Sequence, residues 1–394
     1  MFSSIRMPAP FATDVLDTIG PLSVDDFMRR HWQRAPLLAR GAFPGFASPI
    51  EPAALFGLSA RDDVESRLVA RDNGRWTLRH GPFERLPSRR RPDWTLLVQG
   101  TDLHDDAMHA LMTRFRFVPD ARVDDLMVSF ATDGGGVGPH VDQYDVFLLQ
   151  ARGTRRWRIA PPGDPTLVPG MPLKLLARFE PSEDWVLEPG DMLYLPPGWG
   201  HDGVAVGECM TFSIGFRAPS RLEFLTAFLA AAADAPGGPD PRFGDRGRRV
   251  DAHPGALPDD LARRLRDWAV GWRPSAAEVD RFVGCWLTEP KATVWFERSE
   301  RGLDPARFAR AAALDGLRLD RRSRMAWRGA GVFANGEAVD APAPARRWLR
   351  RLADRRALTA AECSRALADD GLAAILHGWY DAGWLRLGET PAPR

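Results

Sequence analysis

The sequence predicts an α+β protein: a small β-barrel with a metal near its mouth, followed by a largely helical second half. Three observations carry this expectation. In the stretch from Gly134 to Arg158, GGGVGPHVDQYDVFLLQARGTRRWR, a glycine run precedes His140 and Asp142, which enter a run of β-formers, Val146-Phe147-Leu148-Leu149. Alternate strand residues point to the same side, so the imidazole and the carboxylate share one face. They supply two members of a 2-His-1-carboxylate triad, the ligand set that leaves open positions on Fe(II). The stretch PGDMLYLPPGWGH then reads as a turn, a short buried strand Met192-Leu193-Tyr194-Leu195 and a sharp break, with His201 just beyond as the third ligand. The roughly sixty residues between are worth about four to six strands of ordinary length, enough to wind a sheet around and set His201 opposite His140. After Pro219, finally, the pattern turns helical.

In these segments the sequence resembles the JmjC-type cupins, double-stranded β-helix barrels that act as 2-oxoglutarate-dependent oxygenases with an HxD…H iron site. It is most similar to the bacterial ribosomal oxygenases, which hydroxylate an arginine of a large-subunit ribosomal protein. The resemblance rests on Asp124-Asp125-Leu126-Met127-Val128-Ser129-Phe130, on GGGVGPHVDQYDVF, on the RRWR run, on PGDMLYLPPGWGH and on Phe212-Ser213-Ile214-Gly215-Phe216-Arg217-Ala218-Pro219, in that order. It continues through His253-Pro254-Gly255 and Ala334-Asn335-Gly336-Glu337. A lone HxD is a weak signal, whereas these ordered segments together are specific.

From the N-terminus, 394 residues suffice for two or three domains. We expect a JmjC/cupin catalytic domain over 1–219, a helical dimerisation region over 220–290 and a winged-helix-like domain over 291–394. Basic and acidic side chains nearly cancel, 53 against 52, so no overall field calls for nucleic acid or an anionic membrane. Cys209, Cys285 and Cys363 are dispersed and form no CxxC, which excludes a disulfide framework or a thiolate metal site. The first residues carry no basic head with a continuous apolar core, and no run approaches the ~20 apolar residues of a spanning helix. The chain therefore reads as cytoplasmic and soluble.

Ser23 and Asp26 form a variant capping box before a helix through Phe27 to Trp32, and Arg34-Ala35-Pro36-Leu37-Leu38-Ala39-Arg40 reads as a break and a short strand. A helix at 51–57, strands near 64–70, 75–79 and 94–98, and a helix over 103–116 come next. His31 stands without a partner and reads as structural. His104 and His109 in the last helix are five apart, off the spacing that pairs two ligands on one face, and read as surface or satisfied packing positions.

Residues 124–131 make a strand leading to the glycine run, and the resemblance gives Ser129 on it a part in holding 2-oxoglutarate. The cosubstrate is a dicarboxylate and calls for a fixed cation deep in the barrel, where arginine's planar fork stays charged when buried. Strand alternation sets Arg156 and Arg158 on the face opposite Arg155 and Trp157, and the resemblance maps the cosubstrate role onto Arg155. With Fe(II) on His140, Asp142 and His201, it implies a reaction that consumes O2, inserts oxygen at an unactivated C–H bond and releases succinate and CO2. No general base is needed, so Asp145 and Asp191 need not be catalytic and Asp191 reads as a turn residue. A substrate guanidinium requires acceptors and a flat apolar surface. Asp133, in the loop before His140, and Tyr144 are the expected substrate contacts, with Gln143, Arg217 and Ser213 weaker.

Beyond Pro219, a helix over 220–233 puts Leu222, Leu225, Phe228 and Leu229 on one face. After a Pro/Gly-rich connector, helices at about 258–272 and 276–288 carry Trp268, Trp272, Phe282 and Trp286. That is more aromatic surface than three helices can hide, which suits a homodimer interface, as the resemblance also implies. In the last hundred residues short strands at 316–320, 325–328 and 331–334, an Asn335-Gly336 turn and helices at 343–355, 360–369 and 371–381 resemble a winged helix. Arg346, Arg347, Arg350, Arg351, Arg355 and Arg356 read as a solvated helix face, so no DNA contact is expected.

Two kinds of function are consistent with the sequence. One is an oxygenase of a ribosomal protein, acting on arginine or alternatively on histidine. The other is a non-oxygenase cupin, either a zinc or manganese isomerase or a metal-free binding module with a DNA-contacting tail. Arg155 with Ser129 separates them, because a module that uses no 2-oxo acid has no need of a carboxylate site beside the triad.

Overall fold

A computed structural model describes residues 15–234, 241–249, 253, 255–298 and 302–388. The reading of the first fourteen residues, the connector over 235–240 and 250–252, and Pro254 of the His253-Pro254-Gly255 segment lie outside the described residues.

The barrel half runs β1 (Thr18–Ile19), β2 (Leu22–Ser23), α1 (Val24–Arg30), β3 (Leu37–Ala39), α2 (Pro52–Ser59), β4 (Ser66–Asp72), β5 (Arg75–His80), β6 (Trp94–Val98), α3 (Asp106–Thr113), β7 (Val123–Ala131), β8 (His140–Val141), β9 (Asp145–Ala160), β10 (Glu183–Leu187), β11 (Met192–Leu195) and β12 (Gly200–Phe216). Ser23 Oγ accepts from the Asp26 amide and starts α1, as its sequence pattern predicts. The Asp105 carboxylate accepts from the Ala107 and Met108 amides, so α3 begins at Asp106 and the expected helix over 103–116 is shorter at both ends.

The two longest strands organise the barrel. β9 and β12 pair antiparallel from Asp145 opposite Phe216 to Ala160 opposite Gly200. β11 joins the first half of β9 and β7 the second half of β12. β10 and β8 join the remaining halves. Two facing layers therefore share β9 and β12, which is a double-stranded β-helix. The turn from one layer to the other comes at Gly153 and Gly207, with φ of +59° and +71° and a register shift in the pairing between Val206 and Met210. A Cβ on Gly153 would lie 2.1 Å from the Glu208 carbonyl oxygen, so both the left-handed backbone and the close approach require glycine.

Between His140 and His201 the chain has three strands where four to six were expected. β9 spends 16 residues on one strand that serves both layers, and most of 161–182 is irregular.

Alternation along the strands splits the core. Phe147, Leu149, Phe212 and Ile214 pack with Phe27, Leu111 and Phe115 on the outer face of the larger layer. Val146, Leu148, Trp157, Ile159, Leu193 and Leu195 form a separate cluster between the layers. The residues that share the inner face of β7, β9 and β12 are thereby set on rigid, two-sided strands.

Beyond the barrel lie α4 (Arg221–Asp234), α5 (Asp259–Gly271) and α6 (Ala276–Thr288), the last capped by the Ser275/Glu278 box. Phe224, Phe228, Phe282 and Trp286 stack among one another, with Phe228 and Phe282 centroids 5.0 Å apart. Leu222, Leu229 and Val270 project outward, 75, 51 and 64% exposed. The C-terminal part comprises α7 (Pro305–Asp315), β13 (Leu317–Leu319), β14 (Met325–Arg328), β15 (Gly331–Ala334), β16 (Glu337–Ala338), α8 (Ala343–Arg355), β17 (Ala357–Leu358), α9 (Ala360–Ala366), α10 (Asp370–Asp381) and β18 (Leu385–Leu387). Phe308, Leu317, Leu349, Leu352, Leu372 and Leu376 make its core. Asn335 and Gly336, both at positive φ, turn the β15–β16 hairpin. No helix of the described residues is long and apolar enough to cross a membrane.

Candidate metal centre

His140 opens β8 and His201 stands in the first turn of pairing on β12, and the two are direct register partners. Their rings lie 4.2 Å apart between centroids. Asp142 follows His140 at the interval that returns a side chain to the same face. Its Oδ2 is 3.6 Å from His201 Nε2 and 4.0 Å from His140 Nε2. The ligand atoms of these three residues all lie within 4.8 Å of one another.

The imidazoles are oriented from behind. His140 Nδ1 faces the Gly138 carbonyl at 2.9 Å and His201 Nδ1 the Trp199 carbonyl at 3.1 Å. Each carbonyl can only accept, so the proton sits on Nδ1 and the Nε2 lone pairs point inward, as metal ligation requires. Burial, and then the neighbouring His140 ring, hold the His201 imidazole at about 4, well below its ordinary range and neutral at physiological pH. Two imidazoles and one carboxylate with converging ligand atoms fit a divalent iron with open positions.

Arg155 lies on the inner face of β9 and is 4% exposed. Its guanidinium donates to Ser129 Oγ at 3.0 Å and to Thr211 Oγ1 at 3.3 Å. Among the described residues no carboxylate pairs with it, and its Nε is buried without a partner. A buried guanidinium served only by hydroxyls is an incomplete environment that a carboxylate would complete. Arg155 stands opposite Ala205 in the β9–β12 register and His201 stands opposite Ile159. The separation along the strand is roughly 13 Å, which a guanidinium side chain and a five-carbon diacid span together. Trp157 lies between, its ring 5.9 Å from His201 and 5.4 Å from the Arg155 guanidinium, with a buried indole N–H that also lacks a partner. These features fit a 2-oxo dicarboxylate.

The other arginines of the run face outward. Arg156 pairs with Asp184 and Arg158 with Asp202. Asp191 accepts from the Gly41 and Glu188 amides and from Arg40, the turn role its sequence context predicts. Asp145 is fully buried and engaged by Tyr194, Gln33 and Arg122.

The two expected substrate contacts part company. Tyr144 lies at the metal end of the barrel against Gly215. Burial, and after it the Asp142 charge, raises its phenol above the ordinary range. Asp133, in contrast, is not brought to the triad. Its carboxylate accepts from the Gly207 amide at 2.8 Å, at the bend of β12, roughly 20 Å along the strand from His201. The glycine run folds back along β12, with the Gly134 amide donating to the Ala205 carbonyl, so the loop begins at the far end of the barrel and reaches the mouth only at His140.

Residues 110–224 match the family model described as JmjC domain, and residues 272–386 the model described as ROXA-like winged helix. The ribosomal protein uL16 3-hydroxylase of Escherichia coli is 36% identical over 375 residues, which cover 92% of this chain and 97% of that protein. The chain belongs to the ribosomal oxygenases. The X-ray structure of E. coli YcfD aligns with a TM-score of 0.82 at 35% identity, over 93% of this chain and 98% of that one. The ribosomal oxygenase YcfD in complex with cobalt and 2-oxoglutarate aligns at 0.80 and 34%, over 94 and 99%.

The inner surface also contains residues that the sequence did not single out. Thr211 sits opposite Ser129 in the β7–β12 register and donates its hydroxyl hydrogen bond to Gln150 Oε1 at 2.8 Å, tying Arg155 into a buried polar network. Asp125, 3% exposed, lies on the same face of β7 as Ser129 but at the mouth, beside Gly215 and Tyr144. Lys291 binds it at 2.8 Å and Gln99 donates to it at 3.3 Å. Its one visible sequence signal was that the strand opens on two adjacent aspartates.

Proposed function

We propose that this chain is an Fe(II)- and 2-oxoglutarate-dependent oxygenase that hydroxylates an arginine of ribosomal protein uL16. The observation that carries the reading is Arg155, a buried guanidinium with no carboxylate partner among the described residues, joined to the His140–Asp142–His201 triad by the Trp157 ring that lies against both Arg155 and His201. A metal isomerase or binding module has no use for it.

His140, Asp142 and His201 hold the iron. Arg155, kept in place by Ser129 and Thr211, takes the remote carboxylate of the 2-oxo acid, and Trp157 closes the wall between them. The iron and the cosubstrate together supply the oxidising chemistry, with 2-oxoglutarate leaving as succinate and CO2. The chain's own residues orient and exclude: they decide which C–H bond comes within reach and keep bulk water from the cavity. At the mouth, Tyr144 offers a flat face to the substrate arginine and Asp125 offers an acceptor, replacing Asp133 in that role.

The Asp125 carboxylate and the flat Tyr144 ring at the mouth support arginine over histidine as the target, and the relative's name supports uL16 as the protein that carries it. A ribosomal substrate supports a cytoplasmic location for the enzyme. We divide the chain at 219 and 290, and we assign the exposed apolar side chains of α4 and α5 to a homodimer contact.

The test is steady-state succinate formation with uL16 as substrate. Arg155→Gln should raise KM for 2-oxoglutarate about 30-fold or more, the worth of a lost charge-assisted pair, while Asp125→Ala raises KM for uL16 alone. Unchanged 2-oxoglutarate kinetics in Arg155→Gln would overturn the assignment.

A further inference from the structure

The seam between the barrel and the C-terminal part carries a second concentration of charge, which the reaction does not use. A cavity of about 180 Å³ opens between α3 and the β13–α8 side, lined by His109, Arg116, Arg318, Arg321, Arg355 and Arg356. Asp106 is the one carboxylate among the described lining residues. Three of the five arginines are neutralised locally: Arg116 by Asp120, Arg321 by Asp106 and Arg355 by Glu362. Arg318 and Arg356 have no carboxylate partner among the described residues. Arg356 donates to the Asp320 and Ser323 carbonyls, and the nearby Asp320 carboxylate is already held by Arg386 and Arg322.

Two further features point into the same space. His109 Nδ1 is buried without a hydrogen-bond partner, so the histidine is not the satisfied packing residue that its place in the sequence suggests. Arg356 ends α8 in the left-handed region at φ +59°, a position that favours glycine. The backbone there is strained for a residue with a side chain, yet that side chain lies against the C-terminal part and donates to its carbonyls. A half-buried guanidinium with only carbonyl partners keeps an uncompensated charge.

We propose that this cleft is an oxyanion site for a phosphate group, carried either by a small phosphate compound or by the sugar-phosphate backbone of an RNA. A phosphate balances the two unpaired guanidinium groups and accepts from donors on both sides of the seam: His109 on α3, and Arg318 and Arg356 on the C-terminal part. Binding would then join the two halves as well as neutralise them.

The experiment uses the full chain at constant ionic strength. Inorganic phosphate is titrated by calorimetry, with the unfolding temperature followed in parallel, and a short labelled single-stranded RNA is titrated by fluorescence anisotropy. The variants are Arg318→Gln, at a strand residue, and Arg356→Gly, which relieves the backbone as it removes the guanidinium. Phosphate should bind and raise the unfolding temperature, and each variant should weaken binding about tenfold or more. Arginine-dependent binding of phosphate alone identifies a small compound as the source, and arginine-dependent binding of the RNA identifies the backbone; both support the site. Binding of neither, or binding of equal affinity in both variants, overturns it.

Discussion

Single residues show where a sequence can be read through to chemistry and where it cannot. His140 and Asp142 could be read as neighbours because strand alternation is a short-range rule, whereas alternation only set Arg155 on one face with Trp157 and the resemblance picked it out. Thr211 was not, because its partner Ser129 is 82 positions away and only the β7–β12 register brings them together. Asp133 was misplaced for a related reason: nearness to His140 in sequence says nothing about a loop that runs back along a neighbouring strand. Asp102 presents a residue-scale prediction. Burial, and then repulsion from Asp125, lifts its carboxyl to about 7, although the Leu126 amide donates to it at 2.9 Å. An acid whose folded pKa is raised binds more protons folded than unfolded, so its penalty is absent below about pH 4, grows between there and about pH 7, and is then constant. Asp102→Asn keeps the acceptor for Leu126 and does not titrate. Its stability advantage over the parent, measured by urea unfolding, should widen from pH 4 to pH 7 and level off above; a gap that does not change with pH contradicts this.

At the scale of elements, the barrel depends on two strands that each serve both layers. Their bend was hidden in the sequence, because Gly153 sits inside a run that otherwise reads as one continuous strand. Gly153→Ala combines a left-handed backbone with a Cβ 2.1 Å from the Glu208 oxygen, and neither a rotamer nor a flexible tip can relieve that contact. Denaturant unfolding should show a loss of about 3 kcal/mol or more. Gly207→Ala has no atom within 4 Å of the added Cβ, and should cost the backbone strain alone, about 1 kcal/mol. The helices past Pro219 were easier to read. Their caps, Ser275 with Glu278 and Thr359 with Glu362, are local patterns and form as their spacing predicts.

For the whole molecule, the apolar side chains on the outside of α4 and α5 have no cover among the described residues, and a second copy is the partner we assign to them. Leu222→Glu with Leu229→Glu should leave the circular dichroism of the parent intact while halving the mass seen by light scattering at micromolar protein. A parent already monomeric there contradicts the assignment. A barrel bearing a metal triad, extended by a helical region and a ROXA-like winged helix, suits a protein as substrate better than a small molecule. The most direct measurement of that claim is mass spectrometry of uL16 from large ribosomal subunits incubated with the enzyme, Fe(II), 2-oxoglutarate and O2, against a His201→Ala control. The account predicts a gain of one oxygen on an arginine with the enzyme and none with the control. An unmodified uL16, or the same gain with His201→Ala, would contradict it.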